Sequence, residues 1–344
     1  MTRTTPPRPV NVTAVFPSLA RLARTATRLH PRPGSPSRRD SSIGGPLLWP
    51  ADRPWPHCDG PHEPDALAAT SPADERLLRQ ILTAAQNRPR SDTLLTPQEQ
   101  AAVERITVGR PWPEGPVAML SVAQLYARDV PALRPPGSAD LLQVLWCPFD
   151  HPPENMPRTT LFWRSAALVT DILAAPPEPT ALQYPGYLLE PCLIDPEQVT
   201  EYPAPLELRQ DLRSQVQEWS TRQKAGAEPG SAYDQVKDAF YQYELSVAPG
   251  WKVGGWAPWS FTDPRPQYCS ACGTPMEPLL TIASTEWSDS EPSWIPYEDQ
   301  AAAAAHTAQP DPANPAMVSV GRGYNQQIYT CPAAPEHPHA ELMQ

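Results

Sequence analysis

Cys269-x2-Cys272-Gly273 places two thiols on one tight turn, the spacing with which a cysteine knuckle grips a metal ion. A third thiol, Cys331, follows later, and His337 and His339 lie just beyond it. Either histidine completes a Cys3His tetrahedron. Nearer the N-terminus, Cys58-x3-His62 and Cys147-x3-His151 supply a Cys2His2 inventory. Thiolate and imidazole both suit zinc, so the pattern predicts one or two structural zinc ions. Each would contribute on the order of 10 kcal/mol of folding energy. The rival reading makes Cys58 and Cys147 buried thiols and leaves their histidines in proline-rich loops. Cys192 stands outside both groups and reads as a small core residue.

Catalytic readings find less support. A Cys/His nucleophile needs one activated thiolate beside one base, whereas these cysteines come in clusters. A hydrolytic zinc needs an open coordination position and a carboxylate base. The chain contains no His-Glu-x-x-His, no Gly-x-Ser-x-Gly and no His-x-Glu paired with Pro-Cys-x-x-Cys. The expectation is a non-enzymatic protein, with a metal-dependent hydrolase as an alternative.

The elements that must position these ligands occur twice, about 210 residues apart. Ile43-Gly44-Gly45, Trp49, Cys58, Met119, Gln124, Gln143 and Cys147-Pro148 run in one copy. Val253-Gly254-Gly255, Trp259, Cys269, Met276, Thr281, Gln327 and Cys331-Pro332 run in the other. This order reads as an internal duplication. The glycine pairs fit neither a dinucleotide nor a P-loop fingerprint, so they read as turns or bulges needing positive φ or close approach. Trp49 and Trp259 read as core anchors, with a tryptophan-lined groove (Trp49, Trp259 or Trp256) as the alternative. Gln143 and Gln327 each precede a cysteine by four, which on a strand puts both on one face. They read as buried glutamines serving backbone groups.

Strands are predicted over 117–125, 141–147, 160–164, 187–194, 279–284 and 326–331. Helices are predicted over 72–87, with Leu77, Leu78, Ile81, Leu82 and Ala85 on one side, and from the Thr96-Pro97 cap to Ile106. Others are expected over 206–223 and 233–245, the latter with Val236, Phe240 and Tyr243 at helical spacing. Residues 301–315 read as a loop beginning with one helical turn. Leu19, Leu22, Ala23, Ala26 and Leu29 fall at helical spacing and predict an N-terminal amphipathic helix rather than a targeting segment. The expected organisation is a helical lead-in over 1–41, a first half over 42–200 with a helical insertion at about 63–113, bridging helices over 201–249, and a second half over 250–344.

Proline accounts for 49 of 344 residues, so long helices are confined to proline-poor stretches. Residues 1–40 hold eight arginines against one acid, Asp40, which leaves about −18 on the rest of a chain of net charge −11. So acidic a body is repelled by phosphate backbones, weighing against nucleic acid as a partner. No apolar run approaches the roughly 20 residues that span a bilayer, and no secretory signal opens the chain. A cytoplasmic location is expected, where cysteine clusters read as metal sites sooner than disulfides.

Ser42-Ile43-Gly44-Gly45-Pro46 with Trp49-Pro50, then Met119 to Gln124 and Leu142-Gln143, resembles the YwqG-like proteins, a bacterial family of unknown function. Lys252-Val253-Gly254-Gly255 through Cys272-Gly273 and Met276 is similar to that family's later motif. The resemblance spans roughly residues 42 to 331 and implies an α+β fold of two related β-rich halves. It carries no activity and no catalytic residue, and loosely implies a neighbourhood of toxin and immunity proteins. His62, His151 and the long insertion depart from simpler members. The combined expectation is a zinc-stabilised protein-interaction module, of toxin-neutralising type, whose acidic body suits a basic protein partner. The second expectation is a cleft between the halves that takes a small ligand or peptide.

Overall fold

The computed structural model describes residues 2–62, 68–88, 94–223, 239–288, 290–305 and 311–344. Among these, the strands form two six-stranded sheets and one two-stranded ladder, every pairing antiparallel, with helices alongside: an α+β fold. One sheet runs β2 (Arg32–Pro33), β9 (Cys192–Leu193), β3 (Ser42–Ile43), β6 (Leu120–Tyr126), β7 (Leu141–His151), β8 (Met156–Arg164). The other runs β10 (Glu197–Glu201), β1 (Arg24–Arg28), β11 (Lys252–Gly254), β12 (Glu277–Ala283), β13 (Asn325–Thr330), β14 (Ala340–Met343). The ladder pairs β4 (His57–Cys58) with β5 (Val117–Ala118). Corresponding strands hold corresponding places. The glycine-pair strand is third in each sheet, the strand beside the methionine fourth, and the glutamine strand fifth.

The N-terminal region departs from expectation. A short helix α1 (Val12–Val15) and a 3-10 turn over Pro17–Leu22 precede β1, so no amphipathic helix spans residues 19–29. β1 pairs with β10 on one side and β11 on the other, and this double pairing overrides the helical spacing. Leu19, Ala26 and Leu29 are still buried, but in the 3-10 turn, in β1 and just past its end. Arg28 is fully buried, with Nη1 donating to the Trp294 carbonyl and Thr5 Oγ1 and Nη2 to the Glu286 carbonyl. Boundaries at 41/42 and 200/201 do not follow the sheets, because β1 and β10 flank the first half in sequence yet belong to the second half's sheet.

Strand alternation sorts the core into layers. Leu142, Val144 and Trp146 of β7 join Leu280 and Ile282 of β12 and Ile328 of β13 in one cluster that draws on both sheets. On the opposite face of β7, Leu145, Cys147 and Phe149 pack with Trp49, Cys58 and Met119. Tyr329 and Cys331 pack with Trp259, Cys269 and Met276 on the matching face of the other sheet. Both tryptophans are core anchors, and the half-buried Trp256 lies beneath the Arg24 guanidinium at 3.7 Å. Gln143 Nε2 donates to the Leu48 carbonyl and to Gln124 Oε1, and Gln124 Oε1 also accepts from the Leu48 amide. These glutamines therefore fasten the 38–49 segment to the sheet. Gly44 needs its lack of side chain: φ is +63° and a Cβ would stand 2.8 Å from Leu189 Cβ.

The insertion carries α2 (Pro72–Gln86), capped by Ser71, and α3 (Pro97–Thr107), with a capping box between Thr96 and Glu99. The face expected to be buried on α2 is so only in part: Ile81 and Ala85 are buried and Leu78 is half-buried. Leu77 and Leu82 are exposed, while Glu75 and Arg79 are buried as an ion pair that reaches Glu190 and the Pro185 carbonyl. Of the strand expected over 187–194 only β9 pairs, behind a 3-10 turn at Pro185–Tyr187. α4 (Gln210–Gln223) falls within the helix expected over 206–223. The helix expected over 233–245 is helical from Ala239 to Tyr241 and continues as a π-helical turn over Gln242–Ser246, whereas 233–238, Val236 included, lie outside the described residues. Cys192 is a fully buried core residue.

Candidate metal centres

The first centre is built where β4 crosses the end of β7. Pairing of Cys58 with Val117 fixes one thiol, and Cys147 and His151 project from β7. The turn after β4 returns His62 above them, with its imidazole 5.2 Å from the Phe149 ring and 5.3 Å from that of His151. Cys58, Cys147 and His151 are buried, and His62 is half-buried. The second centre is a knuckle closed by hydrogen bonds from the Cys269 amide to the Thr274 carbonyl (2.9 Å) and from the Gly273 amide to the Cys269 carbonyl (2.8 Å). Gly273 takes φ +71°, which a glycine adopts without strain. Cys331 arrives just past β13, and the turn that follows brings in His337.

Each set of four gathers its donor atoms within 4.8 Å of one another. A tetrahedral zinc with Zn–S of about 2.3 Å and Zn–N of about 2.0 Å has S···N edges of about 3.5 Å and S···S edges of about 3.8 Å. The shortest contacts match. Cys58 Sγ is 3.5 Å from His151 Nε2, and Cys147 Sγ is 3.2 Å from His62 Nε2. Cys269 Sγ is 3.5 Å from His337 Nδ1, and Cys272 Sγ is 3.5 Å from Cys331 Sγ. Pairwise S–H···N bonds would explain three of these contacts but not the convergence of four donors on one point. Each set offers four protein donors, so an ion held by all four in tetrahedral geometry would have no open position.

The sulfurs are also prepared for negative charge. Cys58 accepts from the Gly60 amide, Cys147 from Phe149, Cys272 from Thr274, and Cys331 from both Ala333 and Ala334. In each of these four cases a donor lies two residues on, an arrangement that orients and stabilises thiolates. Hydrogen bonding from Cys147, then His151, Gly60 and His62, holds Cys58 down to about 3 against the cost of burial. Cys147 moves up, because it keeps its proton beside the Cys58 thiolate and is buried. The Thr274 hydroxyl and amide bring Cys272 down to about 6. A dication would deprotonate every thiol that held it, two in the first centre and three in the second.

Eight of the nine expected ligands are thus brought together, and the choice between the two late histidines falls on His337. His339 is elsewhere. Its Nε2 lies 3.0 Å from Thr159 Oγ1 and 3.0 Å from Glu341 Oε1, linking β8 to β14 across the two sheets. Proximity in sequence to Cys331 made it a candidate, but the alternation of β14 turns it to the other sheet. Not anticipated from sequence were the Phe149 and Trp112 rings packed 4.9 Å apart beside His62, and the amides two residues after each thiol. Gly60 and Thr274 were the available signals, since small or turn-forming residues at that offset free an amide to face the sulfur.

Fold and site together define an α+β protein with two four-ligand Cys/His clusters, one on the outer face of each sheet. No protein-family model matches the chain, and no curated protein is significantly similar to it. Among the described residues, no helix is long and apolar enough to cross a membrane.

Proposed function

We propose that this is a non-enzymatic cytoplasmic protein whose two halves are each stabilised by a structural zinc ion, and that it acts by binding a basic protein partner. The supporting observation for zinc is the pair of closed, amide-supported tetrahedral donor sets, Cys58/His62/Cys147/His151 and Cys269/Cys272/Cys331/His337. Thiolate-rich sets with imidazole favour zinc over the hard cations, and four protein ligands favour a structural over a hydrolytic ion. The matched strand order of the sheets, with the repeated motifs, supports an origin by internal duplication and a place among the YwqG-like proteins. The charge of about −18 beyond residue 40 supports a basic partner, and capture of such a partner should weaken with salt.

Elemental analysis of anaerobically purified protein tests the zinc reading. Two zinc ions per chain are expected, falling to one in Cys147→Ala and one in Cys272→Ala. Absence of metal from protein prepared without chelator refutes it.

A further inference from the structure

The glycine pair of each half lines a cleft. In the first half, Gly44 and Gly45 face one of about 300 Å³, across which Arg76 pairs with Glu178. In the second half, Gly254 and Gly255 face a larger one of about 530 Å³, within the range of small-ligand sites. This second cleft opens between the halves. Thr25, Val253 and Leu279 of one sheet lie on one side, and the Trp163 indole and the Ala132–Arg134 turn of the first half lie on the other.

Its polar chemistry is unlike the rest of the molecule. Arg24 and Arg134 both line it, both are exposed, and neither forms an ion pair among the described residues. Arg24 is held in place by stacking on Trp256 at 3.7 Å and by a bond to the Gly255 carbonyl, so its guanidinium is positioned before any ligand arrives. Trp163 is fixed by a bond from Nε1 to the Pro335 carbonyl. Among the described residues Glu277 is the one acid lining the cleft, against two arginines, in a chain of net −11. Gly254, at φ +72°, would meet only the Thr25 carbonyl at 3.5 Å if it carried a Cβ. Its conformation, not crowding, calls for glycine, and the space beside it is open.

We propose that this cleft binds a small anionic ligand with a flat apolar body, its carboxylate, sulfonate or phosphate held by Arg24 and Arg134 and its ring against Trp163. Cys331, Pro332 and Pro335, from the segment that carries the last two donors of the second centre, form part of one wall, so the test uses metal-replete protein.

Titration of the zinc-replete full chain with 8-anilinonaphthalene-1-sulfonate, followed by fluorescence and calorimetry, tests it. One saturable site is expected, weakened about tenfold by Arg134→Ala and by Arg24→Ala, as loss of a charge-assisted contact predicts. Arg105→Ala, on exposed α3, should leave it unchanged. Arg134 is exposed, so its variant reports on binding without loss of fold, and circular dichroism with metal content verifies this. Equal affinity for the uncharged N-phenyl-1-naphthylamine, non-saturable binding, or affinity unaltered in both arginine variants overturns the proposal.

Discussion

Cys272 offers the cleanest test of the metal reading because its side chain is exposed. Replacing an exposed side chain that makes no special interaction changes stability by no more than about 0.5 kcal/mol. Removing a ligand from a structural zinc site costs far more, since the site contributes on the order of 10 kcal/mol. With an unfolding entropy of roughly 2.1 cal/mol/K per residue, 344 residues give about 0.7 kcal/mol/K. An ordinary surface substitution therefore moves Tm by less than about 1 °C. Loss of the second ion lowers it by about 14 °C, and a three-ligand remnant that kept half the binding still lowers it by about 7 °C. The assay is scanning calorimetry of wild type and Cys272→Ala, each with and without a strong zinc chelator, alongside metal content. Chelator should bring wild type below the variant, because it empties the first centre as well. A Tm for Cys272→Ala within about 1 °C of wild type, with metal content unchanged, refutes the assignment.

Two further outcomes follow from side chains other than the cysteines. His337→Ala should lose one zinc, whereas His339→Ala should keep both and lose about 1 kcal/mol, the worth of its link between Thr159 and Glu341; zinc loss in the His339 variant contradicts the geometry. Glu286 is buried, with Oε1 accepting from the Trp251 amide and Oε2 without a hydrogen-bond partner among the described residues, and burial raises its carboxyl to about 7. Between pH 4.5 and 7 the folded state then holds a proton that the unfolded state has released. The stability this contributes is full below about pH 4.5 and is lost as pH rises through 7, up to about 3 kcal/mol. Denaturation at pH 5 to 8 should show that loss in wild type and a flatter profile in Glu286→Gln, and parallel profiles would contradict it.

The metal ligands were legible because their spacing is local: two thiols three apart, or a thiol and an imidazole four apart, must share a turn or a strand face whatever the fold does. The strands ending in Gln-x3-Cys-Pro were legible for the same reason, with period two placing Gln143 with Cys147 and Gln327 with Cys331. What failed depends on distant partners. Residues 19–29 have the spacing of a helix, yet β10 and β11 capture 24–28 as a strand, and nothing within the segment announces partners about 170 and 230 residues away. The buried cluster of Arg28, His30, Glu197 and Glu286 was invisible for that reason too. His30, at φ +43°, places Nε2 3.2 Å from Glu197, a contact between residues 167 positions apart. α2 misled differently, because its buried Glu75–Arg79 pair satisfies charge inside a face that hydrophobicity alone would assign to Leu77 and Leu82.

The exchange of β1 and β10 bears on how the two centres relate. If each half closed on its own strands, a metal at one centre could fill or empty without consequence for the other. Instead β10 follows β9 of the first sheet after only three residues, and β1 precedes β2 by the same interval, so two short connections tie the second sheet to the first. The link from Thr159 on β8 to Glu341 and His339 adds a third tie at the opposite edge. Yet the centres themselves lie on the outer faces, in separate apolar clusters, and share no ligand. Mechanical coupling thus runs through the shared core while the chemistry at each centre stays separate. That separation lets the donor sets differ, with His62 standing where the other half has Cys272, while the strand order around them is the same.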